Sequence, residues 1–242
     1  LLKIKMMEGV NSHWSEALLV LSVILFLIIF YRLLNTSKSV YLQKRSLLIS
    51  SVFIIWLLIQ GGLGFKGFFV SALDELPPRI IVLGILPIFI LLTYYLIFDK
   101  RQQQWMTMPL FWLTIIHITR LPVELALRME YANGLIPELM TFGGKNFDIM
   151  AGITAPMAAF LWARQGKINQ TALLIWNILC IFLLLNIAAL GFLSAPTPLQ
   201  KMAFDQPNFA VLNFPFCWLP TFLVPVLLFF HICSIRIIRS ND

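Results

Sequence analysis

Apolar residues run along this chain in long unbroken blocks, such as 17–31 and 80–98, with short polar segments between them. The blocks show neither the strict alternation of a half-buried strand nor the single stripe of a surface helix. Wound as α-helix, about 20 such residues cross the hydrocarbon core of a bilayer. The pattern predicts about seven spans, at 14–34, 46–65, 79–98, 105–128, 147–164, 171–193 and 215–237. Residues 1–242 then form a single polytopic membrane domain, with no internal repeat and no low-complexity tract.

Composition supports this reading. Of the 242 residues 60% are hydrophobic and 12% charged, against roughly 45–50% and about 25% in soluble domains. In lipid every backbone polar group must be satisfied internally, which leaves helices or a closed barrel. Barrel strands would alternate apolar and polar over about ten residues, and these blocks do not. The expected fold is an all-α integral membrane bundle of about seven transmembrane helices, in a plasma or inner membrane.

The net charge of +7 divides unevenly. Arg32, Lys38, Lys44, Arg45, Lys100, Arg101, Arg164, Lys167, Arg236 and Arg239 face only Asp99 and Asp242 on one side of the seven-span layout. On the other side the bases Lys3, Lys5, Lys66, Arg79, Arg120, Arg128, Lys145 and Lys201 are offset by Glu8, Glu16, Asp74, Glu75, Glu124, Glu130, Glu138, Asp148 and Asp205. Basic loops stay in the cytoplasm, so the N-terminus is expected outside and the C-terminus inside. This is membrane asymmetry and gives no basic face for nucleic acid. Met6 or Met7 offers an alternative start, which would remove Lys3 and Lys5 from the outer side.

Chemistry concentrates in the fourth span. At about 100° per residue, with His117 at zero, Arg120 falls near ~300°, Glu124 near ~340°, Arg128 near ~20° and Thr114 near ~60°. They form one stripe, and Arg120–Glu124 and Glu124–Arg128 are i,i+4 pairs within ion-pairing reach. Ionisable groups at this depth face a bundle interior or a wet cavity. Pro122 cannot donate to the carbonyl of Ile118, so a kink is expected beside the stripe. The alternative is a salt bridge that only locks helix packing. Beyond the span, 135–142 is too apolar for an open loop and reads as a short segment lying over the bundle. Asn146 or Asp148 can cap the fifth span, or join Glu138 in completing an outward pocket begun by Arg120 and Glu124. Ala151, Ala155 and Ala159, with Gly152, form a small-residue seam for close helix approach. Arg79 either snorkels to the interface or reaches the pocket mouth, and Asn177 and Asn186 face opposite sides of the sixth span.

Other chemistry is excluded by what is missing. Cys180, Cys217 and Cys233 have no ligand-like or disulfide-like spacing. Phosphate-binding, serine-hydrolase, zinc-protease and dinucleotide motifs are absent. The layout resembles rhodopsins in span count and orientation only, and no lysine sits in a span interior to carry retinal. Seven-span hydrolases of the ceramidase type use three histidines and an aspartate on zinc. Here His13 falls outside the first span and leaves two, and helical rise sets His117 and His231 about 10 Å apart in depth, too far for a shared haem. No metal set and no cofactor is identified, and no catalytic residue is assigned. The ligand-binding candidates are His117, Arg120, Glu124, Glu138, Asn146 and Asp148. Three readings remain open: a site that binds or moves a small polar or ionic ligand, an intramembrane enzyme on a lipid-linked or envelope substrate, and a non-catalytic subunit, scaffold or sensor that docks a membrane protein partner. The lipid bilayer is the surrounding partner in all three.

Overall fold

The computed structural model describes residues 12–71, 73–97, 102–164 and 168–240. Lys3, Lys5, Glu8, Asp99, Lys100, Arg101, Lys167 and Asp242, which enter the charge asymmetry, lie outside the described residues, as do the alternative starts Met6 and Met7. The fold is all-helical, with no strand among the described residues. Among the described residues five helices are long and apolar enough to cross a membrane: α1 (Ser12–Asn35), α2 (Ser46–Phe65), α4 (Leu110–Ala132), α6 (Gln170–Ser194) and α7 (Leu219–Ser240).

Two of the seven expected spans are shorter, α3 (Ile81–Ile97) and α5 (Ile149–Trp162). At about 1.5 Å per residue they reach only ~26 and ~21 Å. Proline sets the start of α3, because Leu76, Pro77 and Pro78 hold the chain in a bend ahead of it. The start of α5 is delayed by a turn in which Asn146 Oδ1 accepts from the Asp148 amide at 2.9 Å.

α7 is the most buried of the five long helices and α2 the least. At the centre, phenylalanines from α1, α2 and α7 interlock. Phe30 stacks on Phe53 at 4.8 Å, and Phe222 meets Phe53 at 5.2 Å and Phe26 at 5.3 Å, both edge-on. α1 lies along the C-terminal half of α4, and α5 packs on α4 through Ala151, Gly152, Ala155 and Ala159, all buried. The small-residue seam therefore joins these two helices.

α3 and α7 share a construction that their hydropathy does not reveal. Each opens with a π-helical turn, Ile81–Ile85 in α3 and Leu219–Leu223 in α7, and the two turns touch. Proline follows at Pro87 and Pro225. Without an N–H, each proline frees the carbonyl four residues back. Those carbonyls belong to Leu83 and Thr221. Gln60 Nε2 donates to the first at 3.1 Å, and Trp56 Nε1 to the second at 2.8 Å. Trp56 and Gln60 are one turn apart on α2, so a single helix face satisfies both breaks. Gly84 permits the contact, since a Cβ there would overlap the Thr221 side chain.

Gln60→Leu is expected to cost about 1–3 kcal/mol, the penalty for a buried acceptor left unpaired. Pro87→Ala in that background restores a donor and returns part of the loss. Unfolding in micelles across the double-mutant cycle measures the coupling. Equal losses with and without Pro87 would break the link between the two residues.

α4 stays continuous through its proline. The distortion is a 3₁₀ stretch, Ile116–Thr119, just before Pro122, and Ser22 of α1 donates to the Thr119 carbonyl at 2.8 Å. Gly134, at φ 76°, ends the helix, and the Leu135 amide reaches back to the Glu130 carbonyl at 3.0 Å. The segment 135–142 then lies over the bundle with Ile136, Met140 and Thr141 buried. The long connection between α6 and α7 covers it, with the Phe209 amide on the Leu135 carbonyl at 3.0 Å and Gln206 Nε2 donating to the Ile136 carbonyl. The two long connections thus form one cap at the same end of the bundle.

Candidate functional site

Arg120, Glu124, Asn146 and Asp148 converge beneath this cap. Arg120 Nη2 lies 2.8 Å from Asp148 Oδ1, both side chains almost wholly buried. Asn146 Nδ2 donates to Glu124 Oε2 at 2.6 Å and to the Met140 carbonyl at 2.9 Å. Asn146 therefore ties the α4 carboxylate to the turn that delivers Asp148. One guanidinium faces two carboxylates, so it balances one of them and the other needs a proton or a second cation. Arg120 also reaches the Cys180 carbonyl of α6 at 3.5 Å, while its Nε and Nη1 have no protein partner. Unpaired buried donors are rare in folded proteins.

The expected ion pairs within α4 are replaced by this arrangement. Arg120 pairs across to Asp148 rather than along the helix to Glu124. Arg128 is exposed and lies over the Tyr131 ring at 5.0 Å. Asp148 occupies the N-cap position of α5 but makes no side-chain cap bond, because its carboxylate is turned to Arg120. Glu138 does not join the cluster: its side chain is exposed on the cap. Arg79 holds Glu75 in a two-pronged pair at 2.6 and 2.9 Å, away from the cluster. That hydrogen-bonded guanidinium lowers the Glu75 carboxyl below its ordinary range.

His117 belongs to a second buried group. Its ring stacks on His231 of α7, centroids 3.9 Å apart and planes 15° apart, with Trp176 edge-on at 5.6 Å. His231 Nδ1 lies 2.8 Å from Asn177 Oδ1. The Asn177 amide nitrogen donates to the Leu173 carbonyl at 2.8 Å, so that Oδ1 accepts and His231 Nδ1 donates. The expected depth difference between the histidines is corrected here. α4 begins at Leu110, after Pro109, and Trp105 closes a separate short helix, Gln102–Trp105. His117 is then ~10 Å from the N-terminal end of α4 and His231 ~13 Å from the C-terminal end of α7. The pair does not fit a shared metal. An ion must lie in the plane of each imidazole it binds, and near-parallel rings this close have no common point of that kind.

A cavity of about 270 Å³ adjoins the charged cluster. Arg120, Glu124 and Asp148 form its inner wall, and the rest is almost entirely apolar, from α3, α6, α7 and the cap. Its side opens between α3 and α6, where the rim residues Phe89, Leu185 and Phe192 are exposed.

Two features of this region escaped the sequence pattern. Glu130 is buried and hydrogen-bonded by Ser15 of α1, although it reads as a loop acid. The signal was in α1, where Ser15 and Ser22 are seven residues apart and face α4. The cavity had no signal in any one segment, since at least four elements build it.

A protein-family model described as a domain of unknown function, DUF8737, matches residues 77–239. The match covers most of the chain, and the chain belongs to this family. No curated protein and no solved structure matches it.

Proposed function

We propose that this member of the DUF8737 family is a polytopic membrane protein that binds an amphiphilic, lipid-like ligand in the cavity between α3 and α6. The polar head would lie against Arg120, Glu124 and Asp148, and the apolar tail would leave through the lateral opening. The observation that carries the reading is an apolar cavity with Arg120, Glu124 and Asp148 clustered at its inner wall and exposed apolar residues at its rim. That polarity runs as an amphiphile's does. It suits such a ligand better than the small polar or ionic one expected from the α4 stripe alone, which would gain little from apolar walls. Arg120 Nε and Nη1 supply donors for acceptor oxygens on the head, and charge-assisted bonds of this kind are the stronger class. At about 270 Å³ the cavity is below the ~300–1,000 Å³ of sites that enclose a drug-sized molecule. It suits a head and the first carbons of a chain.

In this reading all seven apolar helices cross the bilayer with the N-terminus outside. α3 and α5 cross despite their length, because the cap covers their outer ends and protein, rather than lipid, surrounds the irregular backbone there.

The test is native mass spectrometry of protein extracted from its own membranes in mild detergent. A bound amphiphile is expected on the wild type and absent from Ala188→Trp, which fills the cavity from α6. Phe160→Trp, on the exposed face of α5, should retain it. An unliganded wild type, or the same adduct on Ala188→Trp, would overturn the proposal. Membrane residence is checked separately by alkaline carbonate extraction, which should leave the chain in the pellet.

A further inference from the structure

At the opposite end of the bundle lies a second, larger cavity of about 690 Å³. Its deep wall is apolar, with Phe53 of α2, Leu92 of α3 and Phe229 and Phe230 of α7. Its more exposed lining is aromatic and polar, with Tyr41, Tyr95, Gln104, Trp105 and Arg45. Arg45 is the only charged side chain among the described lining residues.

The mouth is a built feature. Arg45 Nη1 donates to the Tyr41 hydroxyl at 3.0 Å, and its guanidinium lies 4.5 Å from that ring's centroid. The connection after α1 is pinned to the one before α4, with Ser37 Oγ and Thr107 Oγ1 2.7 Å apart and the Lys38 amide on the Thr107 carbonyl at 3.2 Å. Trp105 is wedged between Tyr95 and Phe229, at 5.8 and 5.5 Å. Gln104 Oε1 is buried with no partner. The inner end of α7 closes on the same end of α3, with Arg236 Nη1 on the Leu96 carbonyl at 2.7 Å. This end of the bundle therefore carries Arg45 and Arg236, beside Lys38 and Lys44 on the same connection.

We infer that this cavity is a binding site for an anionic phospholipid of the inner leaflet, with its headgroup phosphate on Arg45 and an acyl chain along the Phe53–Leu92–Phe230 wall. The inference rests on the proposed membrane residence and orientation but not on the ligand of the outer cavity. Three observations favour this occupant. Among the described lining residues the charge is cationic, and an anionic headgroup complements it. Tyrosine and tryptophan ring the mouth, as they do where a chain meets the headgroup layer. The wall behind is apolar and deep enough for a chain. Basic residues at this leaflet each attract anionic lipid by about 1 kcal/mol, and a cavity adds retention that a flat basic surface lacks.

The test uses the full chain in nanodiscs of equal parts phosphatidylglycerol and phosphatidylcholine, released and weighed by native mass spectrometry. Wild type is expected to retain phosphatidylglycerol at least about fivefold over phosphatidylcholine, the ratio that 1 kcal/mol supplies. Arg45→Gln should remove that preference and Arg45→Lys should keep most of it. Val52→Trp, which fills the groove from an exposed position on α2, should lower retention of both lipids. Ala188→Trp, in the other cavity, should change neither, which separates this result from the outer ligand's. An unchanged preference in Arg45→Gln, or full retention in Val52→Trp, would overturn the inference. So would equal displacement by free glycerol phosphate, which would make the headgroup alone the ligand.

Discussion

Arg120→Met is expected to destabilise the protein by about 3–5 kcal/mol, the range found when one partner of a buried ion pair is removed. The loss comes from what stays behind. Asp148 is 4% exposed and Glu124 1%, so neither carboxylate can recover solvation in place. Desolvated charge without a partner costs several kcal/mol, while the pair itself gives little over apolar packing. The double variant Arg120→Met, Asp148→Leu should therefore regain most of the loss. Reversible unfolding in mixed micelles measures all three proteins. A single-variant loss under about 1 kcal/mol would mean that water reaches the cluster. The double variant also separates structure from function: if it is stable yet no longer carries the amphiphile, the cluster serves the ligand rather than the fold.

Gly152→Val is the second large effect. A Cβ at this position would lie 2.6 Å from the Leu121 amide nitrogen and 3.1 Å from its Cα. Both are backbone atoms in the middle of α4, so no rotamer change relieves the overlap. Overpacking costs about 1–3 kcal/mol where side chains can shift, and here the helices themselves must separate. The expected loss lies at or above the top of that range. Separation would also withdraw Asp148, at the start of α5, from Arg120. Even Gly152→Ala should be damaging. Gly62→Ala is the control, because nothing lies within 4 Å of its added Cβ. It should be neutral or stabilising by up to about 1 kcal/mol, from helix propensity. Folded yield on size exclusion and the unfolding midpoint check both. Equal behaviour of the two glycines would remove the close approach of α4 and α5 as a constraint.

The apolar helices were legible because hydrophobic block length is a local property, and the small-residue seam because its spacing is local too. Their ends were less legible. Trp105 is as apolar as the residues that follow it, yet Pro109 starts a new helix four residues later. That shift is what brought His117 level with His231. Of the α4 stripe, Arg120 and Glu124 meet at the charged cluster, whereas Arg128 is exposed and His117 stacks on His231 instead, and the partners were not legible. An i,i+4 spacing makes Arg120–Glu124 available, and only the turn at Asn146, held by a contact from another element, brings Asp148 close enough to take Arg120 instead. Glu138 is near Asn146 in sequence and still points away, because the 3₁₀ turn Glu138–Met140 buries Met140 and leaves Glu138 outside.

Taken alone, the sequence determined the all-helical class, the approximate placement of the apolar helices and, within α4, the candidates Arg120 and Glu124, since each depends on composition or on spacing within one segment. Tertiary structure decided which charges pair, where the two cavities lie, how α2 satisfies the breaks in α3 and α7, and that two histidines over a hundred residues apart share a stack. Those outcomes depend on the relative placement of several helices, and the free energy that sets it comes from contacts between segments rather than from any one of them.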